Sequence, residues 1–334
     1  MKLVTYSPIT GIERLGLLIE NRILDLEFAH RAAIGQAELH AGYLPSTILD
    51  FLRLGDVAMN EARAIEAWFL QHTAKEDLAE IWYFAESVTL CSPVPRPTSM
   101  RDGYAFRQHV EAARRNRGLE MIPEFDDIPI FYFTNHQAVF GPGEIPVQEL
   151  HLNQLDFELE CAIVIGKQGK NIAVKDADSY IAGYLVMNDW SARALQMQEM
   201  KLNLGPAKGK DFATSLGPWL VTKDELEERK IPTEHGDKYD LTMKTVINGQ
   251  DISLGNVKDM SWTFAQIIER ASYGVTLYPG DVIGSGTCGT GCFLELNGSK
   301  VFTPPMWLVD GDIVECSIDL LGNLSNTIAL EGEA

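Results

Sequence analysis

Between Cys91 and Pro97 the chain reads Cys-Ser-Pro-Val-Pro-Arg-Pro, with proline at every second position from Pro93. Proline has no amide hydrogen and a fixed φ, so neither a helix nor a central strand can pass through such a run. It divides the 334 residues into a segment 1–92 and a segment 93–334, close to the soft prior of ~150 residues per domain. The two sides are patterned differently. Before the prolines, Leu3–Tyr6, Arg14–Ile19 and Arg22–Leu26 are β-like, and then Met59–His72 and Ala74–Phe84 show the period of amphipathic helices. After them, strands are expected at Leu155–Ile165, Tyr180–Val186, Met243–Ile247, Asp281–Ser285, Phe293–Leu296 and Asp312–Ile318. Helices are confined there to Tyr104–Asn116, Trp190–Met200 and Thr263–Ser272. The fold class this implies is mixed α/β and β-rich, with a small α+β N-terminal domain before a larger β domain with peripheral helices, not a doubly wound sheet.

Charge excludes one class of partner. Lys and Arg number 28 against 47 Asp and Glu, a net charge of −19, so the surface field repels phosphate backbones and anionic headgroups. Neither nucleic acid nor a membrane is expected as a partner, and no apolar run approaches the ~20 residues of a spanning helix. A small acidic substrate remains compatible, because a local cluster of Arg, Lys and metal overrules the global sign. The cysteines Cys91, Cys161, Cys288, Cys292 and Cys316 are too scattered for a disulfide framework and fit a reducing cytoplasm.

Gly284-Ser285-Gly286-Thr287-Cys288-Gly289 spells the dinucleotide pattern G-x-G-x-x-G. That motif needs a helix N-terminus after it, whereas a strand and an Asn297-Gly298 turn are expected, so nucleotide binding is rejected. The glycines read instead as a bulge or a close backbone approach. Cys288 and Cys292 lack a second pair, which weakens a zinc reading. Along Leu155–Ile165, alternation puts Glu158 and Glu160 on the face of Ala162 and Val164, opposite Phe157, Leu159, Cys161 and Ile163. A wet face would explain the glutamates by themselves. The apolar continuation argues that their face is covered, and two buried carboxylates at that spacing need a cation. Asp189 alone reads as an N-cap. With Arg193 and Gln196 on the same helical face it forms a set able to bind a metal and an oxyanion together. Arg114, Arg115 and Arg117 read most simply as a solvated helix face, and spacing alone does not single out His109 among seven histidines.

Taken together, Asp102-x-Tyr104-x-x-x-x-His109, Leu155-Asp156-x-Glu158-Leu159-Glu160, Met187-Asn188-Asp189-Trp190-Ser191-Ala192-Arg193-x-x-Gln196, and Gly284-Ser285-Gly286-Thr287 with Phe293-Leu294-Glu295-Leu296 resemble the fumarylacetoacetate hydrolase family. With Gly209–Thr214 they follow family order from about Arg96 onward. The resemblance implies a mixed β-sandwich roll, often dimeric, that cleaves carbon–carbon bonds in β-diketo acids with one divalent cation. By motif match, Asp102, Glu158, Glu160 and Asp189 would be the metal ligands, an all-oxygen cage suited to Mg²⁺ or Ca²⁺, with Lys210 and Thr214 beside it. His109 would be the base and Glu295 its orienter. Arg193, Gln196 and Lys210 would stabilise developing charge, and Tyr104, Tyr132 and Thr287 would contact substrate.

Two positions depart from the family pattern. Its arginine nine residues past the histidine is Gly118 here, with Arg117 alongside, and its tyrosine four residues past the glutamine is Met200. The activity implied is hydrolysis of fumarylacetoacetate or a related acylpyruvate by a cytoplasmic homodimer serving tyrosine degradation, with His109 activating water and the carbanion leaving as an enolate. An oxo-acid decarboxylase or isomerase using the same site is the alternative. A divalent-cation or dicarboxylate binding protein without turnover is the reading from another class.

Overall fold

The computed structural model describes residues 1–332 apart from 38, 41, 73, 74 and 204. Strands β1 (Lys2–Ile9), β2 (Ile12–Ile19) and β3 (Arg22–Asp25) form an antiparallel meander. Asp25 ends it by capping helix α1 (Leu26–Ala33) through the Phe28 amide. Thr47 likewise caps α2 (Ile48–Leu54), and α3 (Asp56–Gln71) follows. The helix expected over Ala74–Phe84 does not form: Ala74 lies outside the described residues, Lys75–Leu78 make one 3₁₀ turn, and β4 (Trp82–Phe84) pairs with β3. Three consecutive aromatics suit a pleated surface better than a helix, and a waiting strand edge decides it.

Beyond the prolines come β5 (Met100–Gly103), α4 (Arg107–Arg115), β6 (Phe131–Thr134) and β7 (Gly143–Val147). The strand expected over Leu155–Ile165 is broken into β8 (Leu155–Asp156) and β9 (Leu159–Ile165), because the Glu158 amide donates to the Asn188 side chain at 2.9 Å. Next, β10 (Ile181–Asp189) runs past its expected end, and Ser191–Ala192 pairs with β8, so α5 (Arg193–Met200) starts at Arg193 and not at Trp190. Asp189 therefore ends a strand and caps no helix. The remaining elements are β11 (Thr214–Val221), the hairpin β12 (Thr242–Ile247) and β13 (Gln250–Asn256), α6 (Phe264–Ser272), β14 (Val282–Gly284), α7 (Phe293–Gly298), β15 (Ile313–Ile318) and β16 (Gly322–Leu330).

The segment Phe293–Leu296, expected as a strand, is thus helical. Its first amides, Phe293 N and Leu294 N, donate to the Asp156 carboxylate at 2.7 and 2.9 Å. An anion on a helix N-terminus favours the helix and overrides the apolar pattern of a short run. The carboxylate also fills the place a pyrophosphate would take in a dinucleotide fold.

The main sheet runs β4-β3-β2-β1-β11-β10-β9-β14-β5-β6, and a second sheet runs β13-β12-β15-β16-β7. Leu3 on β1 pairs with Leu220 on β11, so the main sheet continues across the proline run. On one face, Leu159, Cys161, Ile163 and Ile165 pack with Met243, Val314, Cys316 and Leu324 of the second sheet. On the other, Ala162, Val164, Leu185 and Met187 pack under Phe51, Ile65 and Phe69 of the N-terminal helices. The face carrying Glu160 is therefore roofed, as its apolar continuation requires. The architecture is mixed α/β and strand-rich, with two sheets packed face to face. Among the described residues no helix is long and apolar enough to cross a membrane.

Candidate active site

The sheet order β10-β9-β14-β5 brings four carboxylates together. Asp189 ends β10, Glu160 lies on β9 with Glu158 in the break before it, and Asp102 lies on β5. All four are buried, and one oxygen from each lies within 4.8 Å of all the others. Between β9 and β5 runs β14, where a Cβ on Gly284 would stand 2.7 Å from Asp102 Oδ1 and 2.8 Å from Glu160 Oε2. Only glycine lets those side chains close over the strand. Gly286, at φ +79°, donates its amide to Asp102 at 3.1 Å and to Glu160 at 2.9 Å. The glycine pattern does serve a close approach, and what approaches is the protein's own carboxylates.

Two buried cations offset part of this charge. Lys210 donates to Glu158 and, at 2.7 Å, to Asp189. Arg193 reaches Glu158 at 2.7 Å, Asp156 at 2.8 Å and the Gln196 amide oxygen at 3.0 Å. Burial, then Asp189, pushes the Asp102 carboxyl up to about 7. Burial and Asp102 raise Glu160 well above the ordinary range, and burial raises Asp189. At Glu158 burial acts in the same sense, but Lys210, Arg193 and His109 together outweigh it and hold this carboxyl below its usual value. Glu160 Oε1 and Asp189 Oδ1 are buried without a hydrogen-bond partner. Unpartnered carboxylate oxygens in an all-oxygen cluster are what a hard divalent cation satisfies, so these residues fit one.

The second half of the site stands on helices. His109, on α4, has Nδ1 2.7 Å from Glu295 Oε2, and Glu295 Oε1 accepts from the Thr290 amide at 2.9 Å. The Tyr104 ring meets the imidazole edge-on with centroids 6.0 Å apart. Glu295 belongs to the first turn of α7, which Asp156 holds. Asp156 also accepts from Phe157 N at 2.9 Å and from Arg193 Nε at 2.8 Å, so one buried carboxylate ties the dyad to the cage. The sequence motif contains Asp156, but nothing in local spacing assigns it this work. Cys292, considered in sequence only as a weak zinc pattern with Cys288, stands beside the dyad: its Sγ, a His109 ring nitrogen and a Glu158 oxygen lie within 4.8 Å of one another.

The other expected residues fall as follows. Thr214 is buried opposite Asp189 in the β10–β11 register. Thr287 is buried in the turn after β14. Arg117 is exposed just past α4, and its charge partly offsets the burial that raises the Tyr104 phenol. Four of the residues are tied to the cage or to one another. The Tyr132 hydroxyl donates to Asp189 at 2.5 Å, which places it beside the cage. Lys210 donates to Glu158 and Asp189 and so offsets cage charge, as expected beside a metal site, while Arg193 donates to Asp156, Glu158 and Gln196, with the Gln196 side-chain oxygen the acceptor.

This fold, carrying this carboxylate cage, defines a family. The chain belongs to the fumarylacetoacetate hydrolase family: the model for the fumarylacetoacetate (FAA) hydrolase C-terminal domain matches residues 98–329. It is 32% identical over 321 residues to the oxaloacetate tautomerase YisK of Bacillus subtilis, spanning 94% of this chain and 95% of that one. Among solved structures, a fumarylacetoacetate hydrolase from Exiguobacterium antarcticum superposes with a TM-score of 0.70 at 23% identity, over 99% of this chain and 100% of that one. A maleylpyruvate hydrolase from Sphingobium sp. SYK-6, in complex with manganese(II) and pyruvate, gives 0.67 at 22% identity over 99% and 100%.

Proposed function

We propose that this chain is a divalent-cation-dependent enzyme of short 2-oxo acids, and that it catalyses the keto–enol tautomerisation of an oxaloacetate-like dicarboxylate. The observation that carries this reading is the buried His109–Glu295 pair, at 2.7 Å, standing against the carboxylate cage. Tautomerisation moves one proton between carbon and oxygen next to a carbonyl, and so needs one oriented base and a counter-charge for the enolate. A divalent cation held by Asp102, Glu158, Glu160 and Asp189 would supply Lewis-acid polarisation of the substrate's oxygens. His109 would take the proton from C3 and deliver it to the neighbouring carbonyl oxygen, or carry it back in the reverse direction, while Glu295 fixes the ring's tautomer and stabilises the imidazolium. The likeness to a tautomerase along nearly the whole chain supports this step. Gly118, where the family has an arginine for the far carboxylate, supports a shorter substrate than fumarylacetoacetate.

Hydrolysis of an acylpyruvate is the second reading, because the same dyad placed beside water is a general base for carbon–carbon cleavage. The test follows the enol absorbance of oxaloacetate with Mn²⁺ or Mg²⁺, and pyruvate release from acylpyruvates in parallel. Chelator-sensitive acceleration of enol–keto exchange is expected. Acylpyruvate cleavage outpacing that exchange would replace tautomerisation with hydrolysis.

A further inference from the structure

Cys292 is a chemically reactive side chain that neither cage nor dyad uses. It caps α7, its Sγ accepting from the Glu295 amide at 3.5 Å, and it is fully buried. Among the described residues two groups of three or more potential metal ligands converge, and they share Glu158. One is the oxygen cage. The other joins a His109 nitrogen, a Glu158 oxygen and the Cys292 sulfur within 4.8 Å. The donor chemistry of the two is opposed. Oxygen-only shells select hard ions, whereas nitrogen and thiolate select borderline ions such as Zn²⁺, for which three protein ligands and one open position are a common arrangement.

We propose that His109, Glu158 and Cys292 form a second cation site, for Zn²⁺ or another thiophilic divalent ion, and that filling it inhibits the enzyme. Coordination replaces the thiol proton, which leaves to solvent, and occupies the imidazole lone pair that a base needs. It also draws on Glu158, whose oxygens otherwise serve the cage. The inhibitory half rests on His109 being the base of the proposed reaction; the binding half does not.

The experiment uses Co²⁺ as a visible stand-in for Zn²⁺, titrated into the whole protein with the cage saturated by Mg²⁺. The wild type is expected to develop near-ultraviolet thiolate-to-cobalt charge transfer that saturates at one ion per chain and is bleached by Zn²⁺. Cys292→Ser keeps a capping oxygen on α7 and is expected to lose the band while retaining Mg²⁺-supported turnover. Zinc inhibition should weaken in that variant by more than the roughly 10–100-fold that loss of an outer-shell partner costs. If Cys292→Ser fails to fold, His109→Asn is read instead, with a weakened Co²⁺ titration and unchanged Mg²⁺ binding expected. No band in the wild type, or an equal band in Cys292→Ser, overturns the site. A band accompanied by undiminished turnover overturns the inhibitory half. Because the absorbance needs no substrate, failure of the tautomerase reading leaves the binding test intact.

Discussion

The oxygen cage and the His109–Glu295 dyad share one site but are built in opposite ways. The cage is a product of sheet register: Asp102 pairs across from Gly284, Glu160 from Met187 and Asp189 from Thr214. Moving any of these three means moving a strand hydrogen-bonded on both sides, whereas Glu158 sits in the break before β9. The dyad joins two helices whose residues are 186 positions apart, and no ladder sets its distance. It depends instead on Asp156 gripping the start of α7. Cation binding and proton transfer should therefore be separable by mutation, with Asp156 the point at which both fail together.

The largest effect expected is on rate. His109→Ala should lower kcat by about 10²–10⁴ with Mg²⁺ affinity unchanged by calorimetry; a Mg²⁺ affinity that falls with the rate would break the separation. Next comes Asp156→Ala, which strips a partner from buried Arg193 and the acceptor from the first two amides of α7. A stability loss of about 3–5 kcal/mol is expected by analogy with broken buried ion pairs, measured by denaturant titration, together with loss of both cation affinity and turnover. A variant that loses turnover alone would confine Asp156 to the dyad.

Gly284→Ala should cost about 1–3 kcal/mol and weaken cation binding, because its Cβ would stand 2.7 Å from Asp102 Oδ1. Unchanged affinity would mean that the carboxylates reach each other without needing that gap.

The smallest effect is in pH dependence. Burial and Asp189 push the Asp102 carboxyl up to about 7 from an ordinary 3.8, so the folded state keeps a proton that the unfolded chain releases. Stability without a cation should then fall as pH rises across that window. Melting in EDTA is expected to be higher at pH 5 than at pH 8, with Asp102→Asn flattening the slope. An equal slope in that variant would place the titration elsewhere.

The same contrast decides what could be read from the sequence. Alternation along Leu159–Ile165 marks Glu160 as belonging to the apolar face of Ala162 and Val164, because sheet geometry is periodic and the period is local. The dyad leaves no such trace. Phe293–Leu296 is a short apolar run whose pattern serves strand and buried helix equally. Asp156, 137 residues upstream, decides between them. Trp82–Phe84 fails as a helix for a similar reason, since the edge of β3 is not visible nearby in sequence. Helical spacing places Arg193 and Gln196 on one face, but it does not show that the guanidinium is held by Asp156 and Glu158. That requires knowing where β8 and β9 break.

The pairing of β1 with β11 bears on how the chain comes together during synthesis. The partner of Leu3 is Leu220, so β1 is made long before the strand that closes its edge. The meander β1–β3 and the helices α1–α3 can gather early. Their core, however, is completed by Ala162, Val164, Leu185, Met187, Leu216 and Leu220, all of them late arrivals. Such non-local pairing is slow, and an open apolar edge is where nascent chains associate wrongly. The interval between translation of β1 and of β11 is therefore when this chain is most exposed to aggregation, and a chaperone that shields the first meander would act in that interval.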